Sequence, residues 1–263
     1  MNDLVLWSGL VAPWVYGGIL MLLRLGTCFA TMPDFGTGQV PGRIRIVLAL
    51  ALTIAMDSAL GLVTVPLPTS PFTIVTAAAR EVVIGAALGT AVRMVTATAQ
   101  MAGDLVGLSM GLSLATLFDT TAGEAPLATG RLFSLIAGLM FFAFGGHLIV
   151  VETLFHHFQL FPVGVAELSL PSLDALGGAV THIVHAAVLM AAPVLVVALL
   201  LNVAIGFVMR VVPSVNIFSI GIGILMVGGF AVLGLAGDTL MMFVDHEVRA
   251  LPERMLELSG GGP

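Results

Sequence analysis

There is no lysine anywhere in the 263 residues; all nine basic side chains are arginines. Charged residues make up only 9% of the chain, where a soluble domain carries about 25%. With 59% hydrophobic residues and a mean hydropathy of +1.13, this deficit excludes an ordinary water-soluble domain. It places the chain in a membrane or in an assembly equally dry. The formal charge of −6 is small and dispersed, which argues against nucleic acid as a partner. One cysteine, Cys28, leaves no internal disulfide to form and reads as a small apolar packing residue. No basic patch precedes the first apolar run, and that run is too long for a signal h-region, so no cleavable signal is expected.

What is present is a succession of apolar runs. Residues 4–32, carrying Arg24, are long enough to span a bilayer at about 20 residues per crossing. Pro13 and the Gly17–Gly18 pair are candidate kinks. A proline- and glycine-rich loop follows over 31–43. Residues 44–65 form a second run interrupted by Asp57, and PLPTSP then breaks the helix. Residues 72–118 read as two helical pieces with a bend or re-entrant turn among their glycines. A fourth run covers 127–151, and the amphipathic ETLFHHFQLFPVG after it suits an interface or hairpin end. Residues 163–174 read as a loop. Residues 176–209 exceed one simple span, and Pro193 predicts a kink there. A last run continues to about 244, and the remainder, 244–263, is a polar tail that reads as a short helix and then a frayed end. The expectation is an all-α chain of six or more apolar helices in one domain, 1–263. The arginines do not alternate between loops, so the positive-inside signal leaves the topology undetermined.

The run QMAGDLVGLSMGLSLATLFD, residues 100–119, stands out. Gly103, Gly107 and Gly111 recur every fourth residue and form a smooth helical stripe that lets a neighbouring backbone come close. Gly85 and Gly89 repeat the pattern. Met110, Leu114, Leu117 and Phe118 crowd the far end with bulky apolar groups. Met101 and Met110 are ordinary core filler or a deformable seal.

Three chemistries compete with that packing role. Gly107-Leu-Ser109-Met-Gly111 matches the nucleophile elbow of α/β-hydrolases, but no strand precedes it, so coincidence is the better reading and no catalytic residue is assigned. His156 with His157, and His182 with His185, invite a metal; no HExxH or Cys/His cluster accompanies them, so no metal or cofactor is expected. Arg24, Asp57, Arg80, Glu81, Arg93 and Asp104 lie in or beside apolar runs, as does Asp238. Charges there form either a proton or substrate relay or polar glue between helices, and the scattered placement favours glue. A secondary transporter would show paired repeat halves with matching broken helices, and none align.

IGAALGTAVRMVTATAQMAGDLVGLSMGLSLATLFD, RLFSLIAGLMFFAFGGHLIVVETL and LLLNVAIGFVMRVVPSVNIFSIGIGI, in this order, resemble the FliR family of flagellar biosynthesis proteins. VPGRIRIVLALALT and the FPVG after HHFQL extend the likeness over nearly the whole chain. FliR is the flagellar relative of the injectisome SctT export-apparatus proteins; the flagellar match is closer along GLSMGLSLATLFD. The resemblance implies a non-enzymatic subunit of the type III export gate in the bacterial inner membrane, within the flagellar basal body. It implies hairpins assembled with FliP and FliQ relatives, contact with FlhB and FlhA relatives and with lipid, and passage of unfolded flagellar subunits. Carried over, residues 107–118 contribute a constriction closed by Met110, Leu114, Leu117 and Phe118. Leu114 and Leu117 stand where relatives often have phenylalanine, which makes the seal less bulky. Arg210, Pro213, Asn216 and Phe218 match an RxxPxxNxF pattern assigned to structure and subunit contact. Arg93, Asp104, Arg210 and Asn216 are then polar contacts to partner helices.

Overall fold

The computed structural model describes residues 11–33, 41–61, 63–112, 128–164, 173–211 and 217–260. Among these residues there are helices and no strands. In chain order they are α1 (Ala12–Thr31), α2 (Gly42–Leu60), α3 (Pro71–Ser109), α4 (Ala128–Ala143), α5 (Gly146–Leu160), α6 (Leu173–Val211), α7 (Ile217–Leu235), α8 (Gly237–Arg249) and α9 (Leu251–Leu258). The all-α architecture follows directly from the apolar runs. Three helices, α1, α3 and α6, are long and apolar enough to cross a membrane. The count rises to five if α4 with α5, and α7 with α8, each form one broken span.

Helix ends follow local chemistry more than length. Pro13 lies in the first turn of α1, where its missing N–H costs nothing; it opens the described helix and does not kink it. α2 ends where Gly61 takes φ +88° and its N–H bonds the Asp57 carbonyl. The fourth apolar run divides at Gly145, φ +73°, into α4 and α5. The last run divides at Ala236, and α7 and α8 meet at 59°.

Within the described part of 72–118 the expected turn among the glycines comes only at Gly111, after α3 has ended. α3 runs unbroken for 39 residues, about 58 Å at 1.5 Å per residue, straight through Gly85, Gly89, Gly103 and Gly107. Each glycine in a helix interior costs roughly 0.5–1 kcal/mol relative to alanine. Tertiary packing offsets that at Gly85, Gly89 and Gly103, because neighbouring backbones occupy the space the side chains vacate. α6 likewise runs 39 residues with Pro193 inside it.

The chain forms two compact units. The first comprises Met1–Arg93, Gly145–Gly178 and Arg249–Pro263; the second comprises Met94–Phe144 and Ala179–Val248. In the first unit α1 packs on α2, and α9 packs on α5. Leu20, Met21, Leu25 and Cys28 on α1, Leu88 on α3 and Leu154 on α5 are fully buried. Arg45 secures the α1–α2 turn by donating from Nη1 to the carbonyls of Phe29 (3.3 Å) and Ala30 (3.1 Å), where the end of α1 is negative. The C-terminal tail is polar in composition, yet α9 buries Leu251, Met255 and Leu258 on one stripe. It is a packed amphipathic helix.

Asp57 illustrates how a charge in an apolar helix is accommodated. It is 6% exposed; Oδ2 accepts from the Trp14 indole N–H at 2.8 Å and Oδ1 from the Val63 N–H at 2.9 Å. These bonds tie the end of α2 to the start of α1. Replacing Trp14 with phenylalanine leaves one carboxylate oxygen without its donor. A loss of about 1–3 kcal/mol is expected, read as a lowered melting temperature in detergent.

Candidate functional site

Glycines with a four-residue spacing set the closest helix approaches. In the first unit, a Cβ on Gly85 would overlap Thr27 Oγ1 and the Arg24 carbonyl of α1; one on Gly89 would overlap Thr31 Oγ1 and the Cys28 carbonyl. The two helices thus meet backbone to backbone, as small residues permit in apolar surroundings.

In the second unit, Gly103, Gly107 and Gly111 have three different duties. A Cβ on Gly103 would lie 2.6 Å from the Thr129 carbonyl and 2.8 Å from Gly130 Cα, so this glycine seats the start of α4. Gly107 is buried, and its carbonyl accepts the Leu112 N–H at 3.0 Å. Gly111 has φ +78°, and its N–H bonds the Leu108 carbonyl at 3.1 Å. This pair of bonds, with a left-handed glycine between, is a Schellman stop. Gly111 therefore terminates α3 and does not extend a smooth face.

Met110, just before that stop, is fully buried, and a Cβ on Gly229 of α7 would overlap its side chain. Asp104 is half-buried, its Oδ1 set against Gly130 of α4. Arg93 on α3 and Arg210 in the last turn of α6 are exposed. Leu114, Leu117, Phe118 and Asn216 lie outside the described residues. Met110, Asp104 and the glycines 103–111 are therefore brought together at the end of α3, while Arg93 and Arg210 are at the surface.

The charge cluster of the first unit was invisible in the sequence as a cluster. Arg24 is fully buried, and its Nε donates to Glu81 Oε2 at 2.6 Å. Its Nη1 donates to the Phe161 carbonyl at 2.8 Å and reaches His157 Nδ1 at 3.2 Å. Arginine is only a donor, so His157 Nδ1 accepts, which puts the proton of a neutral imidazole on Nε2. The guanidinium also lies 4.8 Å from the centre of the Phe158 ring. Glu81 Oε1 accepts the Gly164 N–H at 3.1 Å. One ion pair thereby ties α1, α3 and the end of α5 in a space that holds no other described charge partner for Glu81. The signal available beforehand was the cost of burial itself: a base in one apolar run and an acid in another must find each other.

The remaining histidines separate. His156 is exposed, and its Nδ1 lies 3.3 Å from Gln159 Oε1. His182 on α6 contacts Glu247 of α8, Nε2 to Oε1, at 3.0 Å, with Glu247 only 2% exposed; His185 is exposed. Among the described residues no group of three or more His, Cys, Asp or Glu side chains could hold a metal. Ser109 ends a helix and donates to the Val106 carbonyl at 2.8 Å, so the strand-to-helix elbow a hydrolase nucleophile needs is not built around it.

Residues 15–251 match the family described as bacterial export proteins, family 1. Among curated proteins, the flagellar biosynthetic protein FliR of Pectobacterium carotovorum subsp. carotovorum is 29% identical over 236 residues, covering 89% of this chain and 88% of that one. FliR of Escherichia coli K12 is 30% identical over 225 residues, 86% of this chain and 85% of its own. FliR of Caulobacter vibrioides is 26% identical over 240 residues, 90% and 94%.

Proposed function

The chain belongs to family 1 of the bacterial export proteins, and from that premise we propose that it is the FliR-type subunit of a flagellar type III export gate. It is a membrane-embedded subunit of the export apparatus and performs no bond chemistry. It assembles in the inner membrane, at the flagellar basal body, with FliP and FliQ relatives, beside FlhB and FlhA relatives, and unfolded flagellar subunits pass through the complex. The single observation that carries this reading is the family match across 15–251, which runs from the first turn of α1 through α8 and leaves out all of α9 but its first residue.

Two physical features fit. The buried charges are committed internally: Arg24 to Glu81, Asp57 to Trp14 and Val63. That leaves little for a transporter's relay and favours polar glue. The exposed surface is rich in large apolar groups, such as Ile46 and Val47 of α2 and Leu199, Phe207 and Val211 of α6. Such area requires lipid or partner helices. The injectisome SctT-type subunit is the near variant of the same reading.

The test is co-expression of the tagged chain with the FliP and FliQ relatives of its own host, followed by native mass spectrometry. A stable mixed complex is expected. A lone monomer or homodimer, with both partners well expressed, would overturn the assignment.

Within that gate, residues 107–118 contribute an apolar constriction in which Leu114, Leu117 and Phe118 exclude water and ions by dewetting, and Met110, buried against Gly229 of α7, anchors the segment's start. An arriving extended polypeptide displaces them without needing a particular sequence. Replacing Leu114 and Leu117 together by glycine is expected to raise ion leak across membranes containing the complex, while replacing both by phenylalanine is not. Equal leak in the glycine variant and the wild type would remove this segment from the seal.

A further inference from the structure

Within the second unit, α4, α6, α7 and α8 surround a hollow of about 560 Å³. Its wall is apolar, formed by Phe133 and Met140 of α4, Met190 and Pro193 of α6, Phe230 of α7 and Met241 of α8. Along α4 it extends from Leu132 to Met140, about 12 Å at 1.5 Å per residue. Asp238, exposed in the first turn of α8, is the one charged residue among the described lining residues.

Water is a poor occupant, because a buried water needs two to four polar partners and this wall offers almost none. A void is no better, since the lining atoms then lose their dispersion contacts. A partner helix, roughly 10–12 Å across with its side chains, is too broad for a hollow of about 560 Å³. A single hydrocarbon chain is not. The rim is apolar too: Leu132, Phe230 and Met241 are about half exposed, and Leu139, Leu235 and Met242 beyond them more so. The hollow therefore opens on a surface that itself faces an apolar medium.

We propose that this hollow holds one acyl chain of a membrane phospholipid, with the headgroup at Asp238. The carboxylate there selects an amine-bearing zwitterionic headgroup over an anionic one, by charge complementarity. This assignment rests on the hollow and on Asp238, and it stands whether or not the export reading does.

The test uses the full-length chain in vesicles of mixed phosphatidylethanolamine and phosphatidylglycerol, with a trace of either lipid carrying a photoreactive group near its acyl terminus. Labelled peptides are mapped after irradiation. Label is expected to concentrate on the α4 and α7 peptides that line the hollow, with phosphatidylethanolamine favoured about fivefold, the worth of one charge pair near a membrane surface. Asp238→Asn is expected to level the two lipids. Gly234 lines the hollow and a Cβ there meets nothing within 4 Å, so Gly234→Phe brings a ring to the hollow without a Cβ clash. It is expected to remove most of that label while leaving label on the exposed face of α2 unchanged. Equal labelling of α2 and of the hollow, indifferent to lipid type and to Gly234→Phe, would reduce the site to ordinary boundary lipid and overturn the proposal. So would loss of the label on adding the partner subunits, with cross-links from Met241 to a partner chain. The lipid comparison on the wild-type protein stands alone if Gly234→Phe fails to fold.

Discussion

Replacing Arg24 with methionine is expected to cost the fold about 3–5 kcal/mol, because it leaves the buried Glu81 carboxylate without its cation. The same change removes the donor to the Phe161 carbonyl and to His157 Nδ1, so three segments lose their common tie. In a chain of this size such a loss lowers the melting temperature on the order of 10 °C, read in one detergent for all variants. The sharper expectation concerns the double variant, Arg24→Met with Glu81→Met. A buried pair contributes little beyond an apolar pair of similar volume, while half a pair is strongly destabilising. The double variant is therefore expected to melt above Arg24→Met alone. If the two melt together, the cost lies in lost packing of the arginine and not in the orphaned carboxylate.

The second large effect concerns Gly85. Its missing side chain is the space in which the Arg24 carbonyl and Thr27 of α1 lie. Gly85→Ala is expected to destabilise by about 1–3 kcal/mol, since backbone atoms must retreat and the overpacking outweighs the helix propensity gained. Gly26, on α1, has nothing within 4 Å of a Cβ. Gly26→Ala is expected to be neutral or stabilising by up to about 1 kcal/mol. The two substitutions are chemically identical and opposite in expected sign, so a pair of thermal melts separates close approach from intrinsic preference.

Much of this architecture was legible in the residues. The deficit of charge and the apolar runs imply membrane helices, and PLPTSP marks the break before α3, which begins at Pro71. Gly85 and Gly89, at a four-residue spacing, share the helix face that meets α1, while Gly103 meets α4.

What escaped the sequence is what depends on partners far along the chain. Arg24 and Glu81 lie 57 residues apart, and Arg24 and His157 lie 133 apart; nothing local links them. The unbroken course of α3 was hidden because glycine content argues for a bend when each residue is weighed alone, and only the facing backbones reverse that. Conversely, Gly145 and Ala236 break runs whose apolar content argues for continuity. Gly111 was read as one more member of a stripe, although its positive φ makes it a helix stop. The tail's polarity obscured the three-residue apolar stripe that packs α9.

The central claim is that this membrane chain is a flagellar export subunit. Its most direct test is deletion of the gene in its own host, followed by measurement of filament protein in the culture medium, with and without the wild-type gene returned. The expected result is that export of filament protein stops on deletion and returns with the gene, while synthesis of that protein inside the cell continues. Undiminished filament protein in the medium of the deletion strain would contradict the assignment.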